Sequence, residues 1–190
     1  LVVIDPPGAA RIFAGLTTNA TDAGRWSMAW RSVLIASGIL LAFAVAGEPF
    51  LGALGISLDA FRIAGGIMLF LIAVDMVFEK RTQRREERAQ AVEQEDVSVF
   101  PMAMPMIAGP GSIAAVMLLT ARADAAVEYL AVYGALAIVL VLTLIALLAA
   151  GPIMRRVGAK VEAMITRLLG VILAALAAQI VIDGLKGAFG

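Results

Sequence analysis

Asp5 is a carboxylate set between the apolar run Val2-Val3-Ile4 and the break Pro6-Pro7-Gly8, and 103 residues on from Pro7-Gly8 the sequence Gly109-Pro110-Gly111-Ser112 interrupts a second apolar stretch. Proline lacks an amide donor and clashes with the preceding turn, and glycine costs backbone entropy, so neither stretch can run as an undisturbed helix. Where a membrane helix breaks, its freed backbone groups survive only against protein or a watery cavity. A half-helix that starts at a break turns amide donors and a partial positive charge toward whatever fills the gap, which suits a carboxylate. Carbonyls freed on the other side suit a cation or an ammonium group. Pro6, Pro7 and Gly8 at the first break, and Gly109, Pro110 and Gly111 at the second, are therefore candidates to surround a small zwitterion. Thr17 and Ser112 could add hydroxyls, and Asp5 could meet an ammonium group or a coupling ion. A charge inside a span costs about 2.5–3.5 kcal/mol on insertion scales, which by default marks a pathway or ion site. The plainer roles are that Asp5 only caps the half-helix after it and that the breaks are packing kinks.

The elements that would hold these residues are membrane helices. Of the 190 residues, 62% are hydrophobic, well above the share in a soluble domain. Tyr129 to Met154 carries no charge, nor does Ser32 to Gly47 or Ile63 to Val74. A run of about 18 or more apolar residues reads as a span. The length rule predicts an all-α polytopic protein of about six segments. They run from Leu1 to about Thr18, Trp26 to Ala46, Leu58 to Phe78, Val97 to Thr120, Val127 to Ala150 and Thr166 to Leu185. The second is expected to stop before Glu48-Pro49 and the fifth at Gly151-Pro152, while the first, lacking a methionine at Leu1, reads as cut short at its N-terminus.

The echo between halves extends beyond the breaks. Pro49 pairs with Pro152, and Arg62 before Gly65 pairs with Arg167 before Gly170, at offsets drifting from 103 to 105. This predicts a three-helix repeat over 1–78, a charged cytoplasmic linker over 79–96 and a second three-helix repeat over 97–190. An odd number of helices per unit makes the repeats inverted about an in-plane axis, with the first and fourth helices broken. Basic residues crowd one side: Arg25 and Arg31, then Lys80, Arg81, Arg84, Arg85 and Arg88, then Arg155, Arg156 and Lys160. The positive-inside rule puts that side in the cytoplasm and both termini outside.

Other polar residues weigh less. Asp75 is either a gate or proton carrier or an interfacial residue beside the linker, and Gln179, near its counterpart in the repeat, could bond across helices. Both are ion-coupling candidates beside Asp5. Glu48, Asp59 and Arg62 read as an outer-surface ion-pair cluster. Met102, Met104 and Met106 read as adaptable packing. Gly170, Ala174 and Ala178 form a smooth face for close helix approach.

The remaining counts exclude classes. Net charge is zero, which argues against nucleic acid as a partner. With no cysteine and no histidine, thiolate chemistry, disulfides and the commonest zinc ligands are absent, and no metal or cofactor is expected. Ser112 has no base within reach along the chain, so the protein is not expected to be an enzyme, intramembrane hydrolysis included.

Val3-Ile4-Asp5-Pro6-Pro7-Gly8 with Phe13 and Leu16-Thr17, the run Ile56 to Gly66, and Phe100-Pro101 through Pro105 with Ala108-Gly109-Pro110-Gly111-Ser112-Ile113 resemble three motifs of the MarC family of integral membrane proteins. Arg11 departs from the proline that family's motif leads one to expect. The resemblance implies a six-helix protein of the bacterial inner membrane with two inverted units. It also implies transport of small neutral amino acids such as glycine and alanine, with the substrate at the two breaks. The expected function is thus a secondary transporter working by alternating access, coupled to protons or sodium. An exporter of antibiotics or other drugs and a non-transporting membrane scaffold are the alternatives.

Overall fold

A computed structural model describes residues 1–78 and 96–189, without the side chains of 151–160 and 162. The charged linker therefore falls outside the described residues, Asp96 excepted. The chain is all-helical there: α1 (Pro6–Leu16), α2 (Asp22–Ala53), α3 (Leu58–Val77), a kinked helical segment Ser98–Ile107, α4 (Pro110–Thr120), α5 (Ala126–Leu148) and α6 (Ala150–Phe189).

Among the described residues, Asp22–Ala53, Leu58–Val77, Ala126–Leu148 and Ala163–Phe189 are long and apolar enough to cross a membrane. Segment Ser98–Ile107 and α4 together make a fifth candidate, bent by 51°. The large apolar side chains these helices leave exposed, such as Leu130, Ile138 and Val141 on α5 and Leu168 and Val171 on α6, are the surface that hydrocarbon would cover.

Helix α1 is not among those spans counted by length in the described residues. Residues 1–4 form a turn, and α1 has 11 residues, about 16 Å at the helical rise against roughly 30 Å of hydrocarbon. Helix α4, also 11 residues, is the same kind of half-helix. Two boundaries also differ from expectation. Helix α2 runs through Pro49 to Ala53 instead of stopping before Glu48. Gly47 lies hard against the Met117 side chain of α4, so packing holds the helix together where proline removes a hydrogen bond. Helix α5 ends at Leu148 and α6 starts at Ala150, which puts position 152 in a first turn, where proline loses no helical bond.

Segment Ser98–Ile107 is kinked at Phe100 (φ −126°, ψ 128°) and Met104 (φ −129°, ψ 125°). Each precedes a proline, whose ring pushes its neighbour out of the helical region. The segment packs on α2, burying Met102 and Met106 while Met104 stays exposed. Its start is tied down by Asp96, which accepts from the Ser98 amide at 2.9 Å and meets Arg31 Nη1 of α2 at 2.6 Å. Hydrogen bonding from Ser98, with Arg31 alongside, holds the Asp96 carboxyl below its ordinary value.

The buried residues fall into two clusters. The larger joins α1, α2, the kinked segment and α5. The smaller is the α3–α6 pair, centred on Leu69, Ala73, Met76, Leu173 and Ala177 with Val2 and Val3 against it. That pair crosses at glycines. A Cβ at Gly66 would lie 3.0 Å from the Ala177 carbonyl oxygen, and one at Gly170 would lie 3.1 Å from that of Ala73. Neither position has room for a side chain.

Candidate functional site

The first break is built around Asp5. Its amide donates to the Leu1 carbonyl at 3.0 Å, closing the turn before it. Its backbone is left-handed (φ 56°, ψ 69°), a region Asp visits more readily than most side chains. From there the carboxylate swings over the start of α1, where Oδ1 accepts from the Gly8 amide at 3.3 Å. A Cβ at Gly8 would collide with that carboxylate, so this cap requires glycine. Pro6 takes the first helical position, where its missing amide costs nothing. Asp5 is 2% exposed.

The second break is made differently. Gly109 stands where Asp5 stands in the first, and no side chain caps α4. The Gly111 and Ser112 amides thus form a bare electropositive end. Gly111 itself is a close-packing position: a Cβ there would strike Ile72 of α3 and come within 3.2 Å of Val3 Cγ1. The turn that leads into the first break thus packs, through Val3, against the start of α4. The first break bears a buried carboxylate, and the second offers uncapped donors.

Ser112 is 7% exposed and lines a half-open cavity of about 310 Å³ between α4, α5 and α6, with Val3 and Ile4 also in its wall. From α4 its wall takes Ser112, Ala115, Val116, Leu118 and Leu119, with Arg122 just past the helix end, and Ser112, Ala115 and Leu119 follow one another at helical spacing. Gln179 enters from α6, and its amide nitrogen donates to Asp183 Oδ1 at 2.7 Å. Arg122 Nη2 meets Asp183 Oδ2 at 2.6 Å.

The remaining sequence candidates are spread out. Thr17 lies at the opposite end of α1 from the break. Its hydroxyl donates to the Phe13 carbonyl at 2.7 Å and its own carbonyl accepts from Arg25 Nε at 2.9 Å, so it closes the helix. Closeness in sequence to Gly8 does not bring it to the break. Asp75 is half-buried on the last turn of α3, one turn beyond Ile72, and is not part of the cavity wall. Pro7 is half-buried and Pro110 exposed. Asp59 and Arg62 pair at 2.8 Å within the expected polar cluster, while Glu48 is exposed on α2. Sequence reading passed over Ala115, Arg122 and Asp183. Steps of three, four and three residues from Ser112, through Ala115 and Leu119 to Arg122, were the available signal for the first two. No group of three or more His, Cys, Asp or Glu able to hold a metal occurs among the described residues.

Several apolar helices, one of them broken, and a break seated in the interior define a multi-pass helical membrane protein. The chain belongs to the MarC family of integral membrane proteins, whose family model matches residues 1–189. It is 39% identical over 188 residues to a UPF0056 membrane protein of Methanocaldococcus jannaschii, spanning 98% of this chain and 92% of that one. It is 36% identical over 191 residues to UPF0056 membrane protein YvbG of Bacillus subtilis, spanning 98% and 90%. An Archaeoglobus fulgidus UPF0056 membrane protein is 33% identical over 186 residues, spanning 97% and 87%. No solved structure matches.

Proposed function

We propose that this protein is a secondary transporter of small neutral amino acids, working by alternating access and driven by a proton or sodium gradient rather than by catalysis. The observation that carries the reading is the packing of Val3, in the turn that leads to the buried Asp5 carboxylate, against Gly111 at the uncapped start of α4. The substrate carboxylate would accept from the Gly111 and Ser112 amides, and its ammonium would face Asp5 or freed carbonyls. Asp5 doubles as the first choice for a coupling-ion site; Asp75 and Gln179 are the others.

Alternating access needs two related halves, and the packing supports them. Helices α1 and α4 begin 104 residues apart (Pro6 and Pro110), as do α2 and α5 (Asp22 and Ala126). At the same offset, Gly66 packs on Ala177 and Val181, while Gly170 packs on Ala73 and Val77. Contacts between elements are reciprocal too: α1 meets α5 and α6, and α4 meets α2 and α3. Exchange of the halves preserves this pattern, as a two-fold axis would. At offset 104, Asp5 corresponds to Gly109 and Asp75 to Gln179, so the carboxylates of the first half have no carboxylate counterparts in the second. The proposed seat is a bacterial inner membrane, with both termini outside.

Purified protein in liposomes is expected to accumulate labelled alanine or glycine only when a proton or sodium gradient is imposed. Absence of uptake and of exchange for every small neutral amino acid would remove the proposal. One observation favours a second reading, export of hydrophobic compounds: most of the cavity wall is aliphatic. A deletion strain sensitised to lipophilic drugs but unaltered in amino acid flux would favour it.

A further inference from the structure

We infer that the cavity beside Ser112 is the side-chain pocket of the substrate site, that it extends the substrate class to branched aliphatic amino acids, and that Ala115 sets the largest side chain accepted. The inference rests on the transport reading above. Two independent observations make Ser112 a polar anchor in the pocket wall. One is the uncapped start of α4. The other is Ser112, 7% exposed and turned into the cavity, whose hydroxyl has no hydrogen-bond partner among the described residues. A carboxylate held there places the rest of its molecule against the stripe beyond.

The size and lining of that space decide what fits. A volume of about 310 Å³ is roughly ten times the share of a water molecule in the liquid. A methyl side chain would leave most of it to water, and aliphatic walls hold water poorly. An isobutyl or isopropyl group would instead lie against Leu119, Leu136, Leu173 and Ile180. Each methylene so buried favours binding by about fourfold.

Ala115 controls this space because of where it stands. It is three residues after Ser112, on the same face of α4, and it lines the cavity while also packing on the α3–α6 cluster. Any larger group there would project across the slot just beyond the anchor. A hydrophobic pocket that fits one side chain closely discriminates by about 10–200-fold against one that is a methylene too large.

The test is uptake in proteoliposomes by wild type and Ala115→Phe, with labelled alanine and labelled leucine. Wild type should take up both, with leucine competing at least as well as alanine. Ala115→Phe should lower leucine uptake by about tenfold or more relative to alanine uptake, and the alanine uptake that remains shows that the variant is folded. Should that variant fail to accumulate, Ala115→Val should show the same shift in smaller measure. Alanine uptake without leucine or valine competition in wild type would overturn this inference and leave the transport reading intact. So would leucine uptake unaffected by either substitution. If wild type moves no amino acid but carries a lipophilic cation, both readings fall together.

Discussion

Gly66→Leu is expected to prevent accumulation of folded protein. The Cβ alone would sit 3.0 Å from the Ala177 carbonyl oxygen and 3.1 Å from the Val181 amide nitrogen, and these are backbone atoms that no rotamer change can move. Helices α3 and α6 must separate, which opens the cluster of Leu69, Ala73, Leu173 and Ala177, residues between 0% and 2% exposed. In hydrocarbon such packing replaces the hydrophobic effect as the force joining helices, so small residues at the crossing matter more than in water. Overpacking against backbone belongs at or above the upper end of the usual range, about 3 kcal/mol. Gly134→Leu on α5 is the control, because nothing lies within 4 Å of a Cβ there and the position is exposed. Size-exclusion profiles and melting temperatures in detergent should separate the two. A Gly66→Leu protein that melts with wild type would mean α3 and α6 do not cross as described.

Asp5 distinguishes a cap from a transport residue. Asp5→Asn keeps a side-chain oxygen for the Gly8 amide and tolerates the left-handed backbone, so melting should fall by little. Its uptake should nevertheless drop at least tenfold, because the charge that would meet an ammonium group or coupling ion is gone. Asp5→Ala should lose uptake and also about 0.5–2 kcal/mol of stability with the cap. If Asp5→Asn transports as well as wild type, the carboxylate serves the helix alone.

The breaks were legible in the sequence because they violate helix rules locally: Pro6-Pro7-Gly8 and Gly109-Pro110-Gly111 need no knowledge of their surroundings. The spans followed from length and apolarity in the same way. Features that depend on a partner helix were not legible. Pro49 reads as a terminator until Met117 is known to lie against Gly47. The offset between the proposed halves drifts in the sequence because apolar positions match at many offsets, whereas in the structure the starts of α1 and α4, those of α2 and α5, and Gly66 and Gly170 stand 104 residues apart. Thr17 reads as a candidate from its nearness along the chain, whereas a helix of 11 residues carries it to the end away from the break. The cavity required the rotation of α4, α5 and α6 about their axes, which no single segment encodes, and its Arg122–Asp183 pair spans 61 residues.

Because the chain contains no cysteine, a single thiol placed at Ser112 can report directly on whether the α4 helix start receives substrate. Ser112→Cys should react with a small methanethiosulfonate reagent, and alanine at concentrations that saturate uptake should slow that reaction severalfold. A thiol that reacts at one unchanging rate, whichever neutral amino acid is present, would mean that the guest is held somewhere other than between these interrupted helices.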